Sequence, residues 1–249
     1  MHPLQTLMSA LLISACITSF ADDHMENLPG VAQVFECTLN ENISPGDVVT
    51  FGSEKVAKFA DEQNLSMNSY LWEAVAVNDP YSDPDVRWVN YYPSWGEIYK
   101  TQAAFDSEGA ALVDEFYSML TCEKPVLLAS QNLMSDLVIA EQKPMIAAVC
   151  QLHEDKTTLD GMKFNKQSVD IANETLGTKI GASVFIPAFG ISGFDYVGTF
   201  YGETSDMAKL MDSVRDRTLP AKFAAAGMEP VADCVNDLHT SHLMINRPE

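Results

Sequence analysis

The sequence predicts an α+β fold made of two consecutive β-α-β-β-α-β units. The first observation is that similar segments recur in the same order in the two halves of the chain, beginning with VFECTLNE in one and AAVCQLHE in the other. The second is the spacing of the cysteines, since Cys37 precedes Cys150 by almost the same interval as Cys122 precedes Cys234. An ordered set of matches at one spacing indicates an internal repeat.

The second half shows the predicted elements most clearly. A helix is expected to begin after Thr157, a favourable N-cap, and to carry an apolar face through to Leu176. Two apolar runs with a glycine-containing turn between them predict a hairpin, and Thr204 is expected to cap the next helix. Pro220 should break or kink that helix and Gly227 is placed to end it. The strands are expected at 146–152, 182–189, 194–201 and from Val231 onward.

The first half repeats this order. Ser94 and Glu97 have the spacing of a capping box, at the start of a helix whose apolar face runs from Ile98 to Phe116. The predicted domains are a signal peptide at 1–21, a linker at 22–30, a first unit at 31–134, a linker at 135–144 and a second unit at 145–246.

The amino terminus is typical of a secretory signal. It has an apolar run too short to span a bilayer, and Ser19-Phe20-Ala21 offers small residues at the two positions that a signal peptidase reads. Cleavage after Ala21 would deliver the protein to the periplasm or the exterior. Lipidation at Cys16 is the alternative, and it would leave a membrane-anchored lipoprotein. A buried amino-terminal helix is a third interpretation.

The charge balance limits the partners. The formal net charge is -20, from 35 acidic and 15 basic residues. Such a surface repels the phosphates of nucleic acids and anionic lipid headgroups, so neither is an expected partner. The chain is not expected to insert stably into a membrane after cleavage, and its oligomeric state is left open.

The β-α-β-β-α-β order is that of a ferredoxin-like unit, which leaves one face of a four-stranded sheet uncovered. Two such units in one chain resemble the dimeric α/β-barrel superfamily in a fused, tandem-repeat form, packed sheet to sheet. A three-layer α/β sandwich is the alternative. Members of that superfamily include cofactor-independent monooxygenases, heme-binding enzymes and stress-related proteins. The resemblance implies a hydrophobic ligand inside the barrel, and it carries over no catalytic residue.

Four cysteines outside the signal allow three pairings. In a ferredoxin-like unit the first and fourth strands are antiparallel neighbours, which favours the disulfides Cys37–Cys122 and Cys150–Cys234. The cysteines have no spacing typical of a metal site and no C-x-x-C sequence typical of redox catalysis.

Aromatic and polar residues on two predicted strands make up the candidate ligand site. Residues on one face of a strand alternate along it, and Tyr92 aligns with Tyr201 in the repeat. The mixed lining suits a ligand pocket, and it equally suits a filled core. The candidate ligand-binding residues are Trp88, Asn90, Tyr92, Asp195, Thr199 and Tyr201.

No metal site or cofactor is predicted. The H-T-S-H segment could hold a metal only if His239 and His242 pointed the same way, and on a strand positions three apart face opposite sides. His153 is expected far from His239, so a three-histidine zinc site is disfavoured. Nucleophilic catalysis lacks a G-x-S-x-G sequence, and there is no phosphate-binding glycine motif.

Three functions therefore compete. The first is an exported, soluble protein that binds a small hydrophobic or aromatic molecule between its repeats. The second is an oxygenase-like enzyme that uses Trp88, Asn90, Tyr92 or His153 to orient a substrate. The third is a structural or interaction module with a filled core. A void larger than a few waters would favour the first two over the third.

Overall fold

Antiparallel strands and the helices between them make up residues 30–78, 84–134 and 142–247, which this computed structural model describes. The strands are β1 (Gly30–Leu39), β2 (Met67–Ala76), β3 (Val86–Tyr92), β4 (Leu120–Cys122), β5 (Val126–Asn132), β6 (Gln142–Leu152), β7 (Gly181–Phe189), β8 (Tyr196–Tyr201) and β9 (Ala232–Arg247). The helices are α1 (Pro45–Thr50), continued by a π-helix (Phe51–Val56) into α2 (Ala57–Glu62), then α3 (Trp95–Glu108), α4 (Ala110–Met119), α5 (Thr158–Leu176), α6 (Thr204–Arg215) and α7 (Thr218–Ala225).

Eight of the strands close into one antiparallel barrel. Their order around it is β3-β2-β9-β6-β8-β7-β5-β1, and β1 pairs with β3 to complete the circle. The short β4 pairs with the far end of β1. Closure removes the free strand edges that an open sheet would expose, so the backbone donors and acceptors of every barrel strand find partners on both sides.

The expected architecture is therefore wrong. The chain does not form two ferredoxin-like repeats packed sheet to sheet as a fused dimeric α/β barrel, and the expected likeness to that superfamily is wrong. The strands form a single closed eight-stranded barrel instead. The two halves join edge to edge, through β2 with β9 and β5 with β7, and not face to face. The sheet faces expected to press together line a common lumen instead.

Local signals placed several helix boundaries correctly. Thr157 caps α5 in a reciprocal capping box with Asp160, and Gly177 ends the helix in the left-handed conformation with φ of 61°. The helix expected from Ile98 through Phe116 is divided into α3 and α4 at Gly109. A side chain there would place its Cβ 2.7 Å from the Phe105 ring, so the chain can turn this tightly between the two helices only at a glycine.

Both favoured disulfides are present. Cys37 lies opposite Cys122 on β1 and β4, and Cys150 lies opposite Cys234 on β6 and β9. They close loops of 85 and 84 residues. By the chain-entropy estimate, each contributes roughly 4 kcal/mol to stability.

The apolar core has three parts, separated by the barrel wall. One lies outside the wall of the first half, beneath α1 to α4, and one lies outside the second half, beneath α5 and α6. The third fills the middle of the lumen, where Trp72, Val89, Leu128, Met145 and Phe185 meet. The predicted signal peptide at 1–21, Cys16, and residues 135–141 of the predicted linker lie outside the described residues.

Candidate functional site

A large cavity, here called the outer pocket, lies between the outer surface of β1 and β3 and the helices α3 and α4. Its volume is about 470 Å³. It is lined mainly by aromatic and aliphatic side chains. They include Phe35, Phe51, Met67, Trp88, Tyr92, Trp95, Ile98, Tyr99, Phe105, Leu112, Val113, Phe116, Tyr117 and Leu127, with Gln33, Asn90, Thr101, Gln102 and Asp106 as the polar members.

Strand alternation builds the pocket floor. Trp88, Asn90 and Tyr92 point outward from β3 towards the helices, whereas Val89 and Tyr91 between them point into the lumen. The break at Gly109 divides the roof into α3 and α4, and both helices contribute lining residues. Trp88 stands edge-on to Phe116 of α4, with ring centroids 5.3 Å apart.

A hydrogen-bonded polar cluster occupies the floor. Asn90 Oδ1 accepts from Trp88 Nε1 at 2.8 Å and from Ser69 Oγ at 2.5 Å. Gln33 Oε1 accepts from Asn90 Nδ2 and from the Tyr92 hydroxyl, both at 3.3 Å. Because these side chains bond to one another, the polar groups of the floor are held in fixed positions.

Thr101 is the exception within this pocket. Its side chain is 4% exposed, and its hydroxyl has no hydrogen-bond partner. The Tyr92 hydroxyl lies near enough for Thr101 to influence its pKa, but the geometry is not that of a good hydrogen bond. Burial raises the pKa of Tyr92 well above its usual value, so its phenol stays protonated. A buried hydroxyl without a partner is costly, and a ligand could supply one.

Exposed aromatic rings surround the mouth of the pocket. Tyr99 and Tyr117 are 69% and 52% exposed. Trp95 stands edge-on to Phe189 of β7, with ring centroids 5.6 Å apart. Large aromatic side chains at a rim extend the apolar surface that an entering molecule would meet.

The second half packs its helix directly on the barrel. A Cβ at Gly161 of α5 would lie 2.7 Å from the ring of Tyr196, and a Cβ at Gly198 of β8 would lie 2.8 Å from Asn165 Oδ1. Two glycines thus let α5 lie flush against β8. The two halves differ here, because aromatic rings border open space outside the first half.

A second cavity, here called the lumen cavity, lies inside one end of the barrel. Its volume is about 210 Å³. Trp72 lines both this cavity and a third one of about 90 Å³ beyond the apolar middle of the lumen. The lining residues are Asn68, Tyr70, Trp72, Tyr91, Ser130, Gln131, Asn132, Lys143, Met145, Ser183, Thr199, Tyr201 and Ser241.

The six predicted ligand-binding residues do not meet in one place. Trp88, Asn90 and Tyr92 line the outer pocket, whereas Thr199 and Tyr201 line the lumen cavity. Asp195 lies at the other end of β8, where its carboxylate accepts from the Leu152 backbone N–H at 2.7 Å.

A register error explains the separation. Cys37 lies opposite Val86, and the equivalent Cys150 lies opposite Tyr196. Counted from these pairs, Tyr92 corresponds to Gly202 and not to Tyr201. A shift of one residue moves a side chain to the other face of a strand.

Four residues that line the cavities were not among the predicted site residues: Thr101 in the outer pocket, and Tyr70, Tyr91 and Lys143 in the lumen cavity. Thr101 gave no signal, since a threonine within a helix is ordinary. Lys143 gave a weak signal, because it is the first of the alternate residues on β6, followed by Met145 and Ala147, that face the lumen.

The histidines occupy three separate environments. His239 is buried in the lumen beside Arg87, with Nε2 3.4 Å from the guanidinium. His242 lies 2.9 Å from the Glu73 carboxylate, and His153 lies 3.6 Å from Asp233. In the part of the chain that the structure describes, no three histidine, cysteine or acidic side chains group as metal ligands would.

The fold and its cavities define a class: a closed eight-stranded antiparallel barrel with helices on its outside and separate cavities within and beneath them. No family model matches the chain, and neither does any curated protein. No helix among the described residues is long and apolar enough to cross a bilayer.

Solved structures share this fold. An arginine-to-alanine variant of chlorite dismutase from Candidatus Nitrospira defluvii superposes with a TM-score of 0.50 and 10% identity, over 87% of this chain and 93% of that one. A heme-binding protein from Thermus thermophilus gives a TM-score of 0.50 and 8% identity, over 86% and 91% of the two chains. At such identity the likeness shows the shared fold alone.

Proposed function

We propose that this protein binds a flat, hydrophobic small molecule in the outer pocket. The observation that carries the proposal is the pocket itself, about 470 Å³ of space lined by aromatic rings between the barrel and α3–α4. Ligand pockets typically measure about 300–1,000 Å³ and combine apolar walls with a few placed polar groups. Its volume and lining both fall within that description, and they disfavour a module with a filled core.

The polar floor defines one end of the ligand. Gln33, Asn90 and Tyr92 are already bonded to each other, but the Thr101 hydroxyl is not. A ligand with one hydrogen-bonding group next to Thr101 would satisfy it. The rest of the molecule would be an aromatic or conjugated system stacked among the surrounding rings.

Iron coordination does not fit the pocket. One protein of the same fold is described as heme-binding. Among the described residues, the wall of this pocket offers no imidazole and no thiolate. Tyr92 is held as a neutral phenol by burial, and the other two phenols, Tyr99 and Tyr117, lie exposed at the rim. The proposed ligand therefore binds through shape and apolar contact, and we derive no chemistry through a heme iron.

The test compares the binding of metal-free protoporphyrin IX with the binding of its iron(III) complex. Binding of each probe is measured by the quenching of Trp88 and Trp95 fluorescence. Without a protein ligand for iron, the two dissociation constants should agree within about threefold. Filling the pocket by Val113→Trp should abolish binding, as judged by native mass spectrometry. The matched control is Val214→Trp, because Val214 is 53% exposed on α6. Selective, tight binding of the iron complex, or no binding of either probe, would overturn the proposal.

We propose further that the protein acts outside the cytoplasm, released by cleavage after Ala21 or anchored at Cys16. The two disulfides support this, because disulfides persist in oxidising compartments. Intact mass measurement of the exported protein distinguishes the two forms, since lipidation would leave an acylated chain that begins at Cys16. A full-length chain with reduced cysteines recovered from the cytoplasm would contradict both.

A further inference from the structure

The lumen cavity differs in chemistry from the outer pocket. Most of the residues that line it carry a hydroxyl or an amide group, and Trp72 and Met145 add apolar surface. It lies at the end of the barrel where β1 and β6 begin and β8 ends. The Phe185 ring and the rest of the apolar middle of the lumen separate it from the third cavity.

Lys143 carries the charge of this cavity. Of the described residues that line it, Lys143 is the only one with a formally charged side chain, and it is 6% exposed. Its placement stands out in a chain of net charge -20. Burial lowers the pKa of Lys143, and the Glu203 carboxylate partly opposes that effect. An anion bound in the cavity would stabilise the ammonium form.

Three tyrosines line the same cavity as Lys143 and add hydrogen-bond donors to its wall. Burial raises the pKa of Tyr70, Tyr91 and Tyr201. Tyr201 adds to the rise at Tyr70, and both Tyr70 and Tyr201 add to the rise at Tyr91. All three phenols therefore stay protonated at neutral pH and can donate. The Tyr201 hydroxyl also lies 3.4 Å from Ser183 Oγ. Protonated phenols beside an ammonium group suit the two oxygens of a carboxylate.

The size and the apolar side of the cavity limit the rest of the ligand. An engineered apolar cavity of roughly 150 Å³ accepts benzene. The lumen cavity, at about 210 Å³, has room for such a ring together with a carboxylate. Tyr70 and Tyr91 stand edge-on to each other, with centroids 5.5 Å apart, and Trp72 lies on the same strand as Tyr70.

We propose that the lumen cavity is a second binding site, specific for a small aromatic monocarboxylate of about the size of benzoate. The carboxylate would lie against Lys143 and the tyrosine hydroxyls, with the ring against Trp72 and Met145. This site is independent of the outer pocket, which lies on the other side of the barrel wall.

Benzoate and its neutral analogue benzamide test the proposal on the intact, disulfide-bonded protein. The chain contains three tryptophans. In the variant Trp88→Phe/Trp95→Phe, Trp72 alone reports on the lumen cavity. Benzoate should change its fluorescence saturably and bind at least about tenfold more tightly than benzamide, as expected for a charge-assisted contact. Equal affinities would overturn the proposal, and so would no saturation by benzoate.

A variant that removes the charge of Lys143 provides a second test of the proposal. Lys143→Met should weaken benzoate binding by about tenfold or more and leave benzamide binding unchanged. Lys209→Met removes the same charge from an exposed position on α6 and should change neither. Retained benzoate affinity in the Lys143→Met protein would refute the assignment. If that variant fails to fold, the benzoate–benzamide comparison in the wild-type lumen decides by itself.

Saturating the outer pocket with protoporphyrin IX should leave the benzoate dissociation constant unchanged. Competition between the two ligands would show that benzoate occupies the outer pocket, and this result would overturn the inference without affecting the proposed function.

Discussion

Replacing Thr101 by valine should make the protein more stable. Valine keeps the shape of threonine but exchanges the hydroxyl for a methyl group, and the two residues have similar helix propensities. The Thr101 hydroxyl is buried without a hydrogen-bond partner. An unsatisfied buried polar group costs about 1–3 kcal/mol, so its removal should raise the free energy of unfolding by about 1–2 kcal/mol. For a domain of this size that corresponds to a rise in Tm of about 2–8 °C.

The assay is urea or thermal unfolding followed by circular dichroism, with the disulfides intact. Thr50→Val is the matched control, because the Thr50 hydroxyl is exposed and already donates to the Gly46 carbonyl at 2.9 Å. That control should be neutral or slightly destabilising. The same Thr101→Val protein should bind polar-ended ligands of the outer pocket less tightly. A loss of about 1 kcal/mol or more in the Thr101→Val variant would show that the hydroxyl has a structural partner, and the reasoning would fail.

Three further predictions concern stability. Gly161→Ala should lower the free energy of unfolding by about 1–2 kcal/mol, because overpacking against Tyr196 outweighs the gain in helix propensity. The control is Gly96→Ala, whose added Cβ would make only ordinary contacts. In the same urea titration that control should be neutral or stabilising. Removing the disulfide between β6 and β9 by double alanine substitution should lower the free energy of unfolding by about 2–5 kcal/mol, and chemical reduction of that variant should lower it again. The hydrogen bond from the Thr157 side chain, and to a smaller extent the one from the Thr157 backbone, hold the pKa of Asp160 below its usual 3.8. The ionised carboxylate therefore stabilises α5 above pH 3.8, and this contribution is lost as the pH falls below that value. Thermal melts should show Asp160→Asn less stable than wild type at neutral pH, with the gap closing in acid; an unchanged gap would contradict the linkage.

Local signals in the sequence predicted what is locally determined. The N-cap of α5, Thr157, and its last residue, Leu176, were identified correctly because each depends on neighbours within one turn. The disulfides were paired correctly because the first and fourth strands of each half are adjacent, and this holds in the closed barrel as well.

Barrel closure could not be predicted in the same way. It depends on the pairing of β2 with β9 and of β5 with β7, which join residues far apart in the chain. Both halves contain strands whose two faces are buried, one by helices and one by the lumen, so their side chains do not alternate between apolar and polar. Without that alternation, the alignment of Tyr92 with Tyr201 gave the wrong face, and two sites were interpreted as one.

The two disulfides lie at the same end of the barrel, and it is the end opposite the lumen cavity. Cys37 and Cys150 come late in β1 and β6, whereas Lys143 comes near the beginning of β6. Covalent cross-links thus hold one rim of the cylinder, whereas no disulfide among the described residues joins strands at the other rim. A local opening of the strands around Lys143 would therefore break no covalent bond.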